Sequence, residues 1–329
     1  MKTAACTKLG IDFPIVQAPM QGAVGPRLAA AVSNAGGLGM LAPWADEAEV
    51  LRREVRETRA LTSRPFAVNL NPEFPQEEHL EACLQEGVSI ISFFWREPSV
   101  LVARAKAAGA IVLLTVATAQ DARDAVRCGV DLVVAQGWEA GGHVRGTVAT
   151  MPLVPAIVDS VAPIPVIAAG GIADGRGFAA ALALGASAAW IGTRFLASEE
   201  AGAHPDYVER LLEANEDDTV YLEDLFHIGW PGAPHRVLHN STVANWEKAG
   251  RAPIGKRPSE GEVIGNSRSL GPILRYQSDT PAMDMDGDVG AMPLYAGQSV
   301  GLVKKRQPAA DIVGEIIDEA REVLQSLAR

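Results

Sequence analysis

The sequence of 329 residues contains little cysteine, and no CxxC pair occurs in it. Its three cysteines, Cys6, Cys83 and Cys128, are odd in number and widely spaced. Secreted domains held by disulfides carry even sets of cysteines, and structural zinc sites usually carry CxxC pairs. The cysteine pattern therefore predicts a reducing compartment and no metal site.

Basic runs and long apolar segments are also missing. The formal net charge is −11, and Lys and Arg form no cluster, which disfavours nucleic acid and anionic membranes as partners. No stretch approaches the roughly 18 apolar residues of a membrane span, and residues 1–8 lack the apolar core of a signal peptide. We therefore expect a cytoplasmic protein, monomeric or homodimeric, that acts on a small molecule.

What is present is a regular alternation of apolar runs and helical patterns. Helices are predicted, for example, at Ala119 to Arg127 and at Asp174 to Leu184, and Asp46 is expected to cap the helix that reaches about Ala60. The eight predicted strands are Pro14 to Ala18, Leu38 to Ala42, Phe66 to Leu70, Val88 to Phe93, Ala110 to Leu114, Asp131 to Ala135, Pro165 to Ala169 and Ala188 to Ile191.

Eight strand-then-helix units predict an α/β protein with a (β/α)8 TIM barrel. The alternative, an open doubly wound sheet, usually carries GxGxxG after its first strand, where this sequence reads Pro19-Met20-Gln21-Gly22. Residues 201–294 break the alternation with helix signals and Pro/Gly punctuation. We expect a barrel domain of residues 1–200 and 295–329, with a mostly helical lid of residues 201–294 over the active site. The helical spacing over Ala309 to Leu327 predicts a last helix that packs back on the barrel.

The segment Gln136-Gly137-Trp138-Glu139-Ala140-Gly141-Gly142-His143 carries the strongest chemical signal. Glycines let a backbone approach a ligand closely, and histidine transfers protons near neutral pH. His143 is therefore the candidate base. Glu139 could be an alternative base or a helix-start residue, and Trp138 could stack on a ligand or simply pack.

Two glycine-containing strand ends predict a phosphate site. Gly170-Gly171 ends the seventh predicted strand, and Gly192-Thr193 ends the eighth. Phosphates often lie at these two loops of a barrel, and the helix from Asp174 is expected to add the positive end of its dipole.

Several motifs together resemble the nitronate monooxygenase family, whose members are FMN-dependent TIM barrels. They are Ala18-Pro19-Met20, Asn34 to Gly39, Pro65 to Leu70, Gln136 to His143, Ala168 to Gly177, Gly192 to Leu196 and Tyr295 to Gln298. The resemblance implies an FMN cofactor bound by Met20, Asn69, Gln136, Gly141, Gly171, Trp190, Ile191, Gly192 and Thr193. It also implies oxidation of alkyl nitronates or nitroalkanes with O2, with His143 as the base. Expected substrate contacts are Trp95, Arg236 and Tyr295.

Departures from the family pattern leave the reaction open. Some relatives carry a histidine near the end of strand four, where this sequence reads Phe93-Phe94-Trp95-Arg96. Others carry a lysine at the end of strand five, where this sequence has Thr115. Related enoyl-ACP and NADH:quinone reductases share most of the motifs. One alternative is therefore an NAD(P)H-dependent flavin reductase acting on a quinone or an enoyl thioester. Another is a non-catalytic flavin-binding protein, which the intact Gly-Gly-His loop disfavours.

Overall fold

Eight parallel strands form the centre of the computed structural model, which describes residues 1–43, 47–96 and 98–328. These strands are β1 Ile15–Gln17, β2 Gly39–Leu41, β3 Phe66–Leu70, β4 Ile90–Phe93, β5 Ile111–Val116, β6 Leu132–Gln136, β8 Val166–Ala169 and β9 Ala188–Ile191; a two-residue strand, β7 Gly142–His143, follows β6. The sheet order is β1-β9-β8-β6-β5-β4-β3-β2. A parallel bridge between Val16 and Leu38 joins its first and last strands. The predicted barrel is confirmed.

Helices surround the barrel and contribute to the insertion. They are α1 Ala4–Leu9, α2 Pro26–Asn34, α3 Ala48–Leu61, α4 Glu77–Gln85, α5 Ser99–Ala107, α6 Ala119–Arg127, α7 Thr150–Val161, α8 Gly175–Ala183, α9 Thr193–Leu196, α10 Pro205–Glu213, α11 Ser241–Lys248 and α12 Ala309–Leu327. The last helix packs against α8 and α2, as its apolar stripe predicted. The predicted cap Asp46 lies outside the described residues. Among the described helices, none has the length and apolar character to cross a membrane.

The core has two layers because successive side chains of a strand face opposite sides of the sheet. Val134 faces into the barrel and packs with Leu38 and Ile167. Its neighbour Val133 faces outward, into the layer between strands and helices that also holds Ile157. This two-layer packing fixes the carboxyl ends of the strands, from which the site is built.

The insertion is not mostly helical, so this part of the prediction was wrong. Residues 201–294 contain the helices α10 and α11 together with five strands: β10 Thr219–Leu222, β11 His235–Leu238, β12 Val263–Ser267, β13 Gly271–Leu274 and β14 Met285–Gly287. Each strand has only three to five residues. Such short strands are stabilised by cross-strand partners that lie far away in sequence, and local periodicity does not reveal those partners.

One of these partners is the Gly-Gly-His loop itself. Strand β11 pairs antiparallel with β7, with His235 opposite His143 and Arg236 opposite Gly142, and β10 pairs with the other edge of β11. The insertion is thus hydrogen-bonded to the loop after β6. This pairing holds it over the carboxyl ends of the barrel strands.

A close contact between β2 and α2 provides a test of the barrel packing. A Cβ atom on Gly39 would lie 1.9 Å from the carbonyl oxygen of Ala29. The backbone of Ala29 cannot move aside as a flexible side chain can. Gly39→Ala is therefore expected to lower the free energy of unfolding by about 3 kcal/mol or more. The matched control is Gly314→Ala in α12, where a Cβ meets open space and helix propensity predicts a gain of up to about 1 kcal/mol. Denaturant unfolding measures both, and equal stabilities of the two variants would contradict the packing.

Candidate active site

A cavity of about 510 Å³ lies at the carboxyl ends of the barrel strands, under the insertion. This volume is typical of a site for a small molecule or cofactor. Most of the predicted site residues line it, namely Met20, Asn69, Gln136, Gly141, His143, Gly171, Trp190, Gly192, Thr193 and Tyr295. The insertion supplies Trp230, Ser269, Ser278, Asp279 and Asp284.

Ile191 does not line this cavity. Its side chain is buried in the layer between the strands and the outer helices. The neighbouring residue Trp190 points into the barrel and reaches the cavity wall. Strand alternation separates the two side chains, so only the main chain of Ile191 can contribute to binding.

Arg236 does not line the cavity either, so the cavity wall gives its predicted role as a substrate contact no support. Its guanidinium lies 4.6 Å from the ring of Trp138 and donates a hydrogen bond to the Trp138 carbonyl oxygen at 3.0 Å. It donates a second, longer bond to the Thr219 hydroxyl. Arg236 therefore supports the loop before His143, and Trp138 packs against the guanidinium.

Glu139 marks the beginning of a helix. Its carboxylate accepts hydrogen bonds from the backbone N–H of Thr150 at 2.8 Å and from the Thr150 hydroxyl at 3.0 Å. Thr150 is the first residue of α7, where a carboxylate complements the unpaired N–H groups. These bonds leave Glu139 no part in the cavity wall, which supports the helix-start alternative.

Two buried amides each present an unpaired oxygen. The Asn69 amide nitrogen donates to the Ser92 hydroxyl at 3.1 Å, and the Gln136 amide nitrogen donates to the His143 carbonyl oxygen at 3.0 Å. Asn69 Oδ1 and Gln136 Oε1 have no hydrogen-bond partner among the described residues. An unsatisfied buried polar atom costs about 1–3 kcal/mol, so both oxygens suit a ligand that carries N–H groups.

The glycine loops after β8 and β9 suit an anion. Gly170 and Gly171 adopt φ values of +100° and +74°, which only glycine takes easily. Thr193 and Arg194 begin α9, so their N–H groups lie outside its intrahelical ladder. All but Arg194 line the cavity.

The start of α8 does not have the role predicted for it, which was to add the positive end of its dipole to the phosphate site. The Gly175 N–H donates to the Glu319 carboxylate at 2.7 Å, and the Gly177 N–H donates to Asp174 at 3.0 Å. The positive end of the α8 dipole is thus already occupied by carboxylates of the chain itself. Glu319 reaches it because α12 packs on α8, a contact between segments that are distant in sequence.

Gly141 has a structural reason to be glycine. A Cβ there would lie 2.4 Å from the backbone nitrogen of Gly297, so the loop and the segment after the insertion pack backbone against backbone. The Gly297 N–H donates to Thr193 Oγ1 at 3.0 Å, which ties that segment to α9. Three distant parts of the chain are joined there.

His143 lies in an aromatic environment. Its ring stacks on Trp230 with the centroids 3.9 Å apart and an interplanar angle of 30°. The rings of Tyr295, His235 and Trp95 surround it at 5.4, 5.7 and 6.1 Å. Nε2 of His143 is shielded from solvent and has no hydrogen-bond partner in the described ranges. Burial, reinforced by His235, holds the pKa of His143 well below 6.5, so the imidazole is neutral and can accept a proton.

Trp230 is the residue that the sequence reading missed. It belongs to Trp230-Pro231-Gly232-Ala233-Pro234, which the sequence shows only as Pro/Gly punctuation. Trp95, one of the predicted substrate residues, lies with its ring centroid 5.0 Å from that of Trp230 and does not line the cavity. Tyr295 lines the cavity and donates its hydroxyl to the Ser278 carbonyl oxygen at 2.8 Å.

The family model of nitronate monooxygenase matches residues 2–79 and 73–319. The chain belongs to the nitronate monooxygenase family. It is 34% identical to the nitronate monooxygenase of Paraburkholderia phytofirmans, covering 99% of this chain and 97% of that one. It is 33% identical to the (3aS,4S,5R,7aS)-5-hydroxy-7a-methyl-1-oxo-octahydro-1H-indene-4-carboxyl-CoA dehydrogenase of Rhodococcus jostii, over 99% of this chain and 98% of that one. Among solved structures, FabK from Thermotoga maritima matches with a TM-score of 0.84 at 35% identity, covering 100% and 99% of the two chains.

These similarities make the protein an oxidoreductase of a flavin-dependent family. The alternative of a non-catalytic flavin-binding protein is therefore not supported. The specific reaction is not decided by them, because the relatives include both a monooxygenase and a dehydrogenase.

Burial of His235 predicts how stability depends on pH. Burial lowers the pKa of His235 from 6.5 to about 4, and its ring nitrogens contact the Ala233 carbonyl oxygen and the Phe226 N–H. As the pH falls, this histidine is therefore protonated in the unfolded chain before it is protonated in the folded protein. The stability that His235 contributes above about pH 6.5 is therefore lost toward pH 4, by about 2 kcal/mol between pH 7 and pH 5.

The variant His235→Gln should lack this loss, so its free energy of unfolding should fall less steeply from pH 7 to pH 5. Denaturant titrations at the two pH values measure the slope. His239→Gln, at an exposed position of the same insertion that pairs with Glu247, is the control. Identical pH dependence in His235→Gln and the unmodified protein would show that His235 is not held neutral.

Proposed function

We propose that this protein oxidises small nitroalkanes, or their alkyl nitronates, with O2 and an FMN cofactor, and that His143 is the catalytic base. The observation that carries the proposal is the unpartnered, shielded Nε2 of a neutral imidazole on the cavity wall. A base of this kind can remove the acidic α-proton of a neutral nitroalkane, and general base catalysis typically contributes about 10²–10⁴-fold.

The cavity residues fit FMN. The unpaired oxygens of Asn69 and Gln136 suit the N–H groups of the isoalloxazine edge, and the N–H groups around Gly171, Gly192 and Thr193 suit a single phosphate. Met20 and Trp190 would border the ring. When bound, the flavin would take electrons from the substrate and pass them to O2.

Charge on the cavity wall favours an uncharged substrate. The lining residues include three carboxylates, Glu54, Asp279 and Asp284, and no Lys or Arg among the residues that the structure describes. An anionic nitronate would meet no cation there, whereas a neutral nitroalkane would meet aromatic rings and His143. The wall therefore supports the nitroalkane as the better substrate of the two.

A second candidate is a flavin-dependent reductase or dehydrogenase of thioesters. Similarity to the carboxyl-CoA dehydrogenase of Rhodococcus jostii and to FabK favours it. The described lining, however, offers no cation to the phosphates of NADPH or of coenzyme A. We therefore rank it second.

The first test identifies the cofactor. Heat-released flavin should be FMN rather than FAD, because the site offers backbone N–H groups for one phosphate. Gly171→Val should hold FMN at least about tenfold more weakly, since a β-branched residue is strained at φ +74° and narrows the phosphate loop. Chromatography of the extract and fluorescence titration measure both, with Gly314→Ala as the control. Release of FAD, or unchanged FMN affinity in Gly171→Val, would contradict this assignment.

The second test separates the two reactions under anaerobic conditions. A small nitroalkane should bleach the flavin absorbance, whereas NADH, NADPH and an acyl-CoA should leave it nearly unchanged. In His143→Asn the reaction with neutral nitroalkane should slow by about 10²–10⁴-fold, and that with preformed nitronate much less. His239→Asn serves as the control. Rapid bleaching by NADH or NADPH without any response to nitroalkane would instead establish the reductase.

A further inference from the structure

The ring that stacks on His143 comes from the insertion. Trp230 lies in residues 223–234, which connect the antiparallel strands β10 and β11, and only 3% of it is exposed. Because β11 is paired with β7, this connection is held directly over the Gly-Gly-His loop. Gly229 and Gly232, with φ values of +97° and +67°, flank the tryptophan and turn the chain there. The backbone thus places the indole ring of Trp230 against the imidazole of His143.

Trp230 is also the centre of an aromatic cluster that closes one side of the cavity. The rings of Trp95, Phe74 and Phe94 lie 5.0, 5.8 and 6.3 Å from it, all at steep interplanar angles. Edge-to-face packing of this kind stabilises each pair by about 0.5–1.5 kcal/mol beyond burial. The cluster comes from loops after β3 and β4 and from the insertion, so it forms only in the folded protein.

Trp95 adopts a strained backbone to join this cluster. Its φ is +87°, a value that a bulky side chain rarely takes and that costs about 1–3 kcal/mol. Strain of this size persists only where the surroundings enforce it. Here it places the Trp95 ring against both Trp230 and His143.

We propose that Trp230 is a positioning residue of this site, which holds the His143 imidazole flat against its indole and shields it from water so that Nε2 is free to accept a proton. This inference rests on the proposed role of His143 as a base. It deepens that role, because it makes the insertion part of the active site and explains how the base is kept unprotonated.

The charges around His143 are consistent with this role. The titratable groups that face it are His235 on β11 and Tyr295, with Asp279 beyond Tyr295. Burial keeps His235 and Tyr295 neutral, and within the described ranges no carboxylate acts on the pKa of His143. The face of the Trp230 indole would stabilise a protonated His143 ring by about 1–2 kcal/mol, which would raise the pKa of His143. Burial acts in the opposite direction and can lower the pKa of a histidine by up to about 3–5 units. The exclusion of water is therefore the larger effect.

The experiment follows the His143 ring directly in the FMN-loaded protein. Protein labelled at its six histidines gives ring NMR signals, and the His143→Asn variant identifies the signal of interest. In Trp230→Gln, water should reach the imidazole, and the pKa of His143 should rise by about 1 unit or more. Trp230→Phe should keep it near the unmodified value. The control is Trp246→Phe on α11, whose indole donates to the Ala252 carbonyl oxygen.

Kinetics give the second readout. The acid limb of kcat/KM for a neutral nitroalkane should move to higher pH in Trp230→Gln, and kcat should fall about tenfold or more because the base is misplaced. Trp230→Phe should restore both toward normal, which a purely structural loss would not do. An unchanged His143 pKa in a folded Trp230→Gln protein would overturn the proposal. A raised pKa in a protein that never oxidises nitroalkanes would support the Trp230 contact and overturn the proposed function instead.

Discussion

The antiparallel pairing of β11 with β7 is the constraint on which the rest of the site depends. It places His235 opposite His143 and Arg236 opposite Gly142, so the insertion and the Gly-Gly-His loop form one small sheet. A shift of this pairing by one residue would turn each side chain of β11 to the other face. Arg236 would then lose its place against Trp138. The register thus sets which side chains surround His143.

Water exclusion links this architecture to chemistry. His143 gains no hydrogen bond at Nε2 within the described structure, and its neighbours are rings from several loops. A buried imidazole without a counter-ion stays neutral because charging it would require desolvation of the cation. Neutrality makes it a proton acceptor over a broad pH range. Two acidic residues from the insertion, Asp279 and Asp284, also line the cavity.

Three residues near the cavity are in locally unfavourable states. The oxygens of Asn69 and Gln136 are buried without partners, and Trp95 has a strained backbone. Each costs about 1–3 kcal/mol in the absence of a ligand. All three lie at the ends of β3, β4 and β6 or just after them, where barrel enzymes carry their active sites. The strain is thus concentrated where binding can offset it.

The sequence by itself determined the barrel and the loops that form its cavity. Apolar runs of parallel strands and the glycine pair Gly170-Gly171 are local signals, because strand burial and positive φ are properties of short segments. Only the tertiary structure decided the roles of Arg236, Trp230 and the start of α8. Those roles depend on contacts between segments far apart in the chain: β11 with β7, residues 223–234 with the imidazole, and Glu319 with Gly175. Such pairings produce no periodic hydrophobic pattern in the sequence, because each is fixed by packing that exists only after the barrel has closed.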